Sequence, residues 1–97
     1  MSALTRTELL ARLKALRPWL TEQGIGRVRL FGSYARDQAG PDSDVDLIVE
    51  LTEPMGLRFF DIEDALSKQL GVKVQMATER ALPSDVRYTA LRDAVDA

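Results

Sequence analysis

Seven short elements, alternating between helical and strand-like periodicity, fill all 97 residues of this chain. That leaves room for one hydrophobic core, and so for one domain spanning residues 1–97. Thr5-Arg6-Thr7-Glu8 has the form of a capping box, and Leu9, Leu13, Leu16 and Leu20 follow at helical spacing until Gly24. Pro18 inside that span predicts a bend, or an end near Arg17. Arg27 to Phe31 reads as a strand with Val28 and Leu30 on one face, broken by Gly32-Ser33. Tyr34 to Ala39 has room for one or two helical turns, and Ala39-Gly40-Pro41-Asp42 is turn chemistry. Val45 to Leu51 is a largely buried strand, ended by Glu53-Pro54. Phe59, Ile62, Leu66 and Leu70 mark a second long helix closed by Gly71, and Val72 to Ala77 a third strand. Pro83-Ser84-Asp85 opens a last helix expected to carry Val86, Leu91 and Val95. The pattern is that of a mixed α/β (α+β) domain, a small sheet of about three or more strands flanked by helices.

The residue inventory then narrows the chemistry. There is no Cys and no His, which removes disulfide frameworks, thiol catalysis, zinc ribbons and histidine-based acid–base catalysis. Thirteen basic against fifteen acidic residues leave a net charge of −2. Binding driven by broad phosphate contact with nucleic acid is therefore disfavoured. What remains is Asp, Glu, Ser, Lys, Arg and the backbone, a set suited to a hard cation. The opening Met1-Ser2-Ala3-Leu4-Thr5-Arg6 has no long apolar run, and no stretch approaches the ~18 apolar residues of a membrane span. A cytoplasmic location without a membrane partner is the expectation.

Asp44-Val45-Asp46 begins the second strand. Residues two apart on a strand share a face, with Cα atoms about 6.5–7 Å apart. Two carboxylates so placed repel unless a cation lies between them, and Mg²⁺ takes one or two carboxylates together with water and substrate phosphates. By itself this pattern is that of a solvated strand start after a turn. An EF-hand does not fit, because its sixth loop position would be Leu47 where glycine is needed. Gly32-Ser33 ends the first strand, where a glycine lets a phosphate approach backbone N–H groups and the serine hydroxyl. Arg36 would add a cationic contact from the same short helix. Alone, that turn is equally an ordinary strand-to-helix junction.

Together they are more specific. Gly32-Ser33, ten residues, then Asp44-x-Asp46 and the apolar Leu47-Ile48-Val49 resemble the signature of the minimal nucleotidyltransferase family, within the DNA polymerase β-like superfamily. Asp37 stands where that family often has glycine. The resemblance implies a mixed sheet with flanking helices. It implies a nucleoside triphosphate, usually ATP, held with Mg²⁺ (one or two ions) at Gly32, Ser33, Asp44 and Asp46. Asp44 and Asp46 would be the catalytic and metal-binding carboxylates. The implied reaction moves a nucleoside monophosphate to an acceptor hydroxyl, and the implied setting is an antitoxin paired with a HEPN-type toxin protein.

The same resemblance implies a third carboxylate on the following strand, where this chain has Val74-Gln75-Met76. Gln75 can hydrogen-bond but cannot act as a base. Two hypotheses follow: an enzyme, in which another group such as Glu79 or Asp85 compensates, or a catalytically weak nucleotide- and partner-binding module. The sequence leaves open the acceptor, the nucleotide base and a homo-oligomer.

Overall fold

The computed structural model describes residues 4–97, so the reading of Met1–Ala3 lies outside the described residues. Helix α1 (Arg6–Glu22) starts at the expected capping box: Glu8 N–H donates to Thr5 Oγ1 and Thr5 N–H to Glu8 Oε1, both at 3.1 Å. The helix does not stop at Arg17 but runs through Pro18 for another turn. Pro18 removes the N–H that would bond to Lys14, but both residues face water, which satisfies the freed carbonyl. Beyond it, Leu20 is fully buried, and Arg17 donates to the carbonyls of Gly26 (2.8 Å) and Ala97 (2.9 Å). Burial of a leucine, at about 1.5–3 kcal/mol, and these two bonds hold the last turn in place.

Strand β1 (Ile25–Phe31) leads into the single-turn helix α2 (Gly32–Ala35), then β2 (Val45–Leu51), α3 (Arg58–Leu70) and β3 (Val74–Ala77). A 3₁₀ turn (Glu79–Ala81), helix α4 (Ser84–Asp93) and a short strand β4 (Val95–Asp96) complete the chain. The sheet order is β3-β2-β1-β4, with β2 and β3 parallel and the other pairs antiparallel. Val95 therefore does not continue the last helix. Ala94 turns extended, and Val95 pairs with Leu30, giving the free edge of β1 a hydrogen-bonded neighbour. α4 buries only Ala90, and Val86 is 42% exposed.

The sheet has two unlike faces. Val28, Leu30, Val45, Leu47, Val49, Val74 and Met76 are buried in one core with Leu9, Leu13 and Leu20 of α1 and Ile62, Leu66 and Leu70 of α3. Strand alternation and register place Arg27, Arg29, Phe31, Asp46, Ile48, Glu50, Gln75 and Ala77 on the other face. The 3₁₀ turn packs at β2 and α4 at β1, and Ile48 is buried there. β3 is the outer strand, and α3 reaches over to satisfy it. Ser67 Oγ accepts from Val74 N–H (2.9 Å) and Glu63 Oε2 from Met76 N–H (2.7 Å). Gln75 is thus carried on a strand fastened on either side of it. Among the described residues no helix is long and apolar enough to cross a membrane.

Candidate functional site

Three strand ends meet at one edge of the charged face. β1 delivers Phe31 opposite Asp46, and β3 delivers Gln75 opposite Asp46 from the other side. Asp44 lies one residue before β2. The loop feeding it is closed by Gly40 N–H donating to Ser43 Oγ (2.9 Å) and Ser43 N–H to the Gly40 carbonyl (3.1 Å). The loop leaves α2 through Asp37 at φ 58°, with Gln38 N–H returned to the Ser33 carbonyl at 2.8 Å. Tyr34 and Ala35 are buried in the core and pin α2, so the Gly32-Ser33 turn is held from below. The ten residues between Ser33 and Asp44 thus return the chain beside its own start.

Gly32 is needed for two reasons. Its φ is +76°, a region that side chains avoid, and a Cβ placed on it would stand 2.5 Å from Asp46 Oδ2. The Gly32 backbone thus lies directly against the Asp46 carboxylate. N–H groups of a first helical turn lack acceptors within the helix, and Phe31 offers no side-chain cap, so the turn presents donors beside the carboxylates. Burial pushes the Asp46 carboxyl above its ordinary value. The Asp44 charge pushes it further, and Arg36 opposes both. Gln75 Nε2 donates to Asp44 Oδ2 at 3.3 Å. Paired hard oxygens, to which no cationic side chain among the described residues is bonded, are a donor set that fits a divalent cation.

The structure thus brings Gly32, Ser33, Asp44, Asp46 and Gln75 to one place. Arg36 stands at its rim, one residue past the end of α2, with Nε on Gln38 (3.2 Å) and Nη1 3.8 Å from Asp93 Oδ2. Asp93, 57 positions along the chain from Arg36, carried no local signal of this role. Glu79 is turned to Arg29 at 3.4 Å, and among the described residues no three acidic side chains form a metal-binding group. Beside the site a cavity of about 140 Å³ is lined by Phe31, Gly32, Arg36, Val86, Thr89 and Ala90. The larger hollows, one apolar (about 420 Å³) around Phe59 and Phe60 and one (about 760 Å³) around Arg80 and Arg87, share no lining residue with the carboxylates.

Residues 8–96 match the nucleotidyltransferase domain family. The chain belongs to that family. This nucleotidyltransferase is 37% identical to protein adenylyltransferase MntA of Thermococcus cleftensis over 98% of both chains. A Methanocaldococcus jannaschii relative, named for the same activity, is 32% identical over 81% of this chain and 86% of its own. A protein solved as a candidate minimal nucleotidyltransferase superposes with a TM-score of 0.82 at 38% identity, covering 98% of each chain. The antitoxin fold in a solved complex with the Shewanella oneidensis HEPN toxin matches at TM-score 0.67 and 14% identity, over 90% of this chain and 69% of that one. The family read from Gly32-Ser33 and Asp44-x-Asp46 therefore stands, as does the small mixed sheet flanked by helices, which has four strands. The chain is an enzyme of a family that in general uses nucleoside triphosphates and divalent metals.

Proposed function

We propose that this nucleotidyltransferase, acting as one domain in the cytoplasm, moves AMP from ATP to a hydroxyl side chain of a partner protein, a HEPN-type toxin that it restrains as the antitoxin. The observation that carries this reading is the contact of the Gly32 backbone with Asp46 at the shared start of β2 and β3. A protein adenylyltransferase 37% identical end to end supports the substrate. A solved complex of the same fold, pairing an antitoxin with a tri-AMPylated HEPN toxin, supports the partner.

Asp44 and Asp46 would hold Mg²⁺. When bound, the ion supplies charge neutralisation at the triphosphate. The Gly32-Ser33 turn binds phosphate oxygens through its backbone N–H groups and the serine hydroxyl, and Arg36 adds a positive charge at the rim. So held, the α-phosphorus is presented to the acceptor oxygen. The new P–O bond forms as the bond to the β-phosphate breaks, pyrophosphate leaves with the bonding electrons, and the acceptor proton passes to water.

The test is incubation of the purified protein with its genomically adjacent partner and α-labelled ATP. Label is expected on the partner; a stable but unlabelled complex would return the binding-module reading instead. Asp44→Asn combined with Asp46→Asn is expected to abolish Mg²⁺-dependent ATP binding while the fold survives. Unchanged affinity in calorimetry would overturn the site.

A further inference from the structure

We infer that Gln75 is a positioning residue that keeps the site one carboxylate short, so that divalent-cation binding waits on the nucleotide. The inference rests on the site proposed above and concerns the order in which it is filled.

The Gln75 side chain is exposed, but its backbone is fixed. It faces Asp46 across the parallel β2–β3 pair, and the peptides on either side of it are fastened to Ser67 and Glu63. From that fixed base its amide nitrogen donates to Asp44 Oδ2. A neutral donor here does two things that a carboxylate could not. It takes up a lone pair of Asp44, and it places no third negative charge beside the pair. No other carboxylate makes up the difference: Glu79 is held by Arg29, and no third acidic group joins the pair among the described residues.

Mg²⁺ gives up its water reluctantly, and its affinity for a protein follows the number of charged oxygens offered. Two carboxylates, one of them tethered to an amide, offer too few. A triphosphate brings several anionic oxygens, so the cation and nucleotide enter together. An amide at position 75 therefore sets the dependence of cation binding on nucleotide.

The isosteric change Gln75→Glu removes the donor and adds the charge. Three titrations by calorimetry test it, each on the full chain with its fold checked by thermal melting: Mn²⁺ alone, Mg²⁺ alone, and Mg²⁺ with a non-hydrolysable ATP analogue. The wild type is expected to bind either ion alone only weakly and the Mg²⁺–analogue firmly. Gln75→Glu should bind the ions alone about tenfold or more tightly. Gln75→Ala, which loses the tether without gaining charge, should stay within about threefold of the wild type for the ions alone. Gln75→Asp repeats the measurement should the glutamate variant lose its fold. Equal Mn²⁺ affinity in the wild type and the acidic variants overturns the inference, provided Mg²⁺–analogue binding is still lost in the Asp44→Asn, Asp46→Asn double variant. If that loss also fails to occur, the site reading falls together with it.

Discussion

The two faces of one four-stranded sheet carry opposite burdens. Leu47 and Asp46 are adjacent on β2, yet Leu47 is fully buried beneath α1 and α3 while Asp46 faces Gly32 and Gln75 on the other side. The apolar face is closed by long helices that each bury three large side chains. The charged face is covered by a 3₁₀ turn and by α4, which buries one alanine. Packing that fixes the fold is thus concentrated where no chemistry happens. Groups that repel one another stand on the side that leaves room for a ligand.

The contrast is broken most severely from the apolar side. Leu47→Ala leaves a cavity in the core and is expected to cost about 3 kcal/mol of stability, or more than ~10 °C in melting temperature. Denaturant unfolding measures it; a loss under ~1 kcal/mol would mean that this face is not what holds the sheet. From the other side, Gly32→Ala should strip function more than stability. The methyl group must displace Asp46, so labelled transfer should fall by ~10²-fold or more while unfolding free energy drops by only about 1–2 kcal/mol. Transfer retained at wild-type rate would show that Gly32 and Asp46 need not touch in the working site.

Asp46→Asn sharpens the comparison through pH. Because the folded carboxyl of Asp46 is held above its unfolded value, the folded state binds its proton more readily. Stability from this group is therefore greatest below the ordinary aspartate pKa of ~3.9 and is lost as pH rises through the raised folded value. The asparagine variant escapes that loss, so its stability relative to wild type should grow from acid to neutral pH. A difference that stays flat or shrinks on going to neutral pH contradicts the electrostatic account. The smallest effect is expected on the cover of the charged face. Tyr88 on α4 is 73% exposed, and Tyr88→Ser should shift unfolding free energy by less than ~0.5 kcal/mol. A larger loss would show α4 to be bound more tightly than its burial indicates.

Features whose physics lies within a few residues were legible before any fold was known. The capping box at Thr5 and Glu8, the left-handed stop at Gly71, the limits of β2 and the inward set Val45, Leu47 and Val49 all follow from local dihedral preference and periodicity. The spacing from Gly32-Ser33 to Asp44-x-Asp46 was legible in another way, through its resemblance to a family signature. Expectations failed where a distant partner outvoted the local preference. Pro18 did not end α1, because Leu20 and Arg17 are secured by the core, β1 and the far end of the chain. Val95 left the helical pattern because β1 offered an unpaired edge.

By itself, then, the order of residues determined most of the elements, the glycine that the site turn requires, and the two carboxylates at the start of β2. Only the tertiary structure decided that Gln75 reaches Asp44, that Glu79 is held by Arg29, and that Asp93 lies beside Arg36. The reason is the range of the interactions. A turn or a cap is settled by neighbours a few bonds away, whereas those three pairings join residues 31, 50 and 57 positions apart, which meet only after β-strand register and helix packing have fixed where each backbone lies.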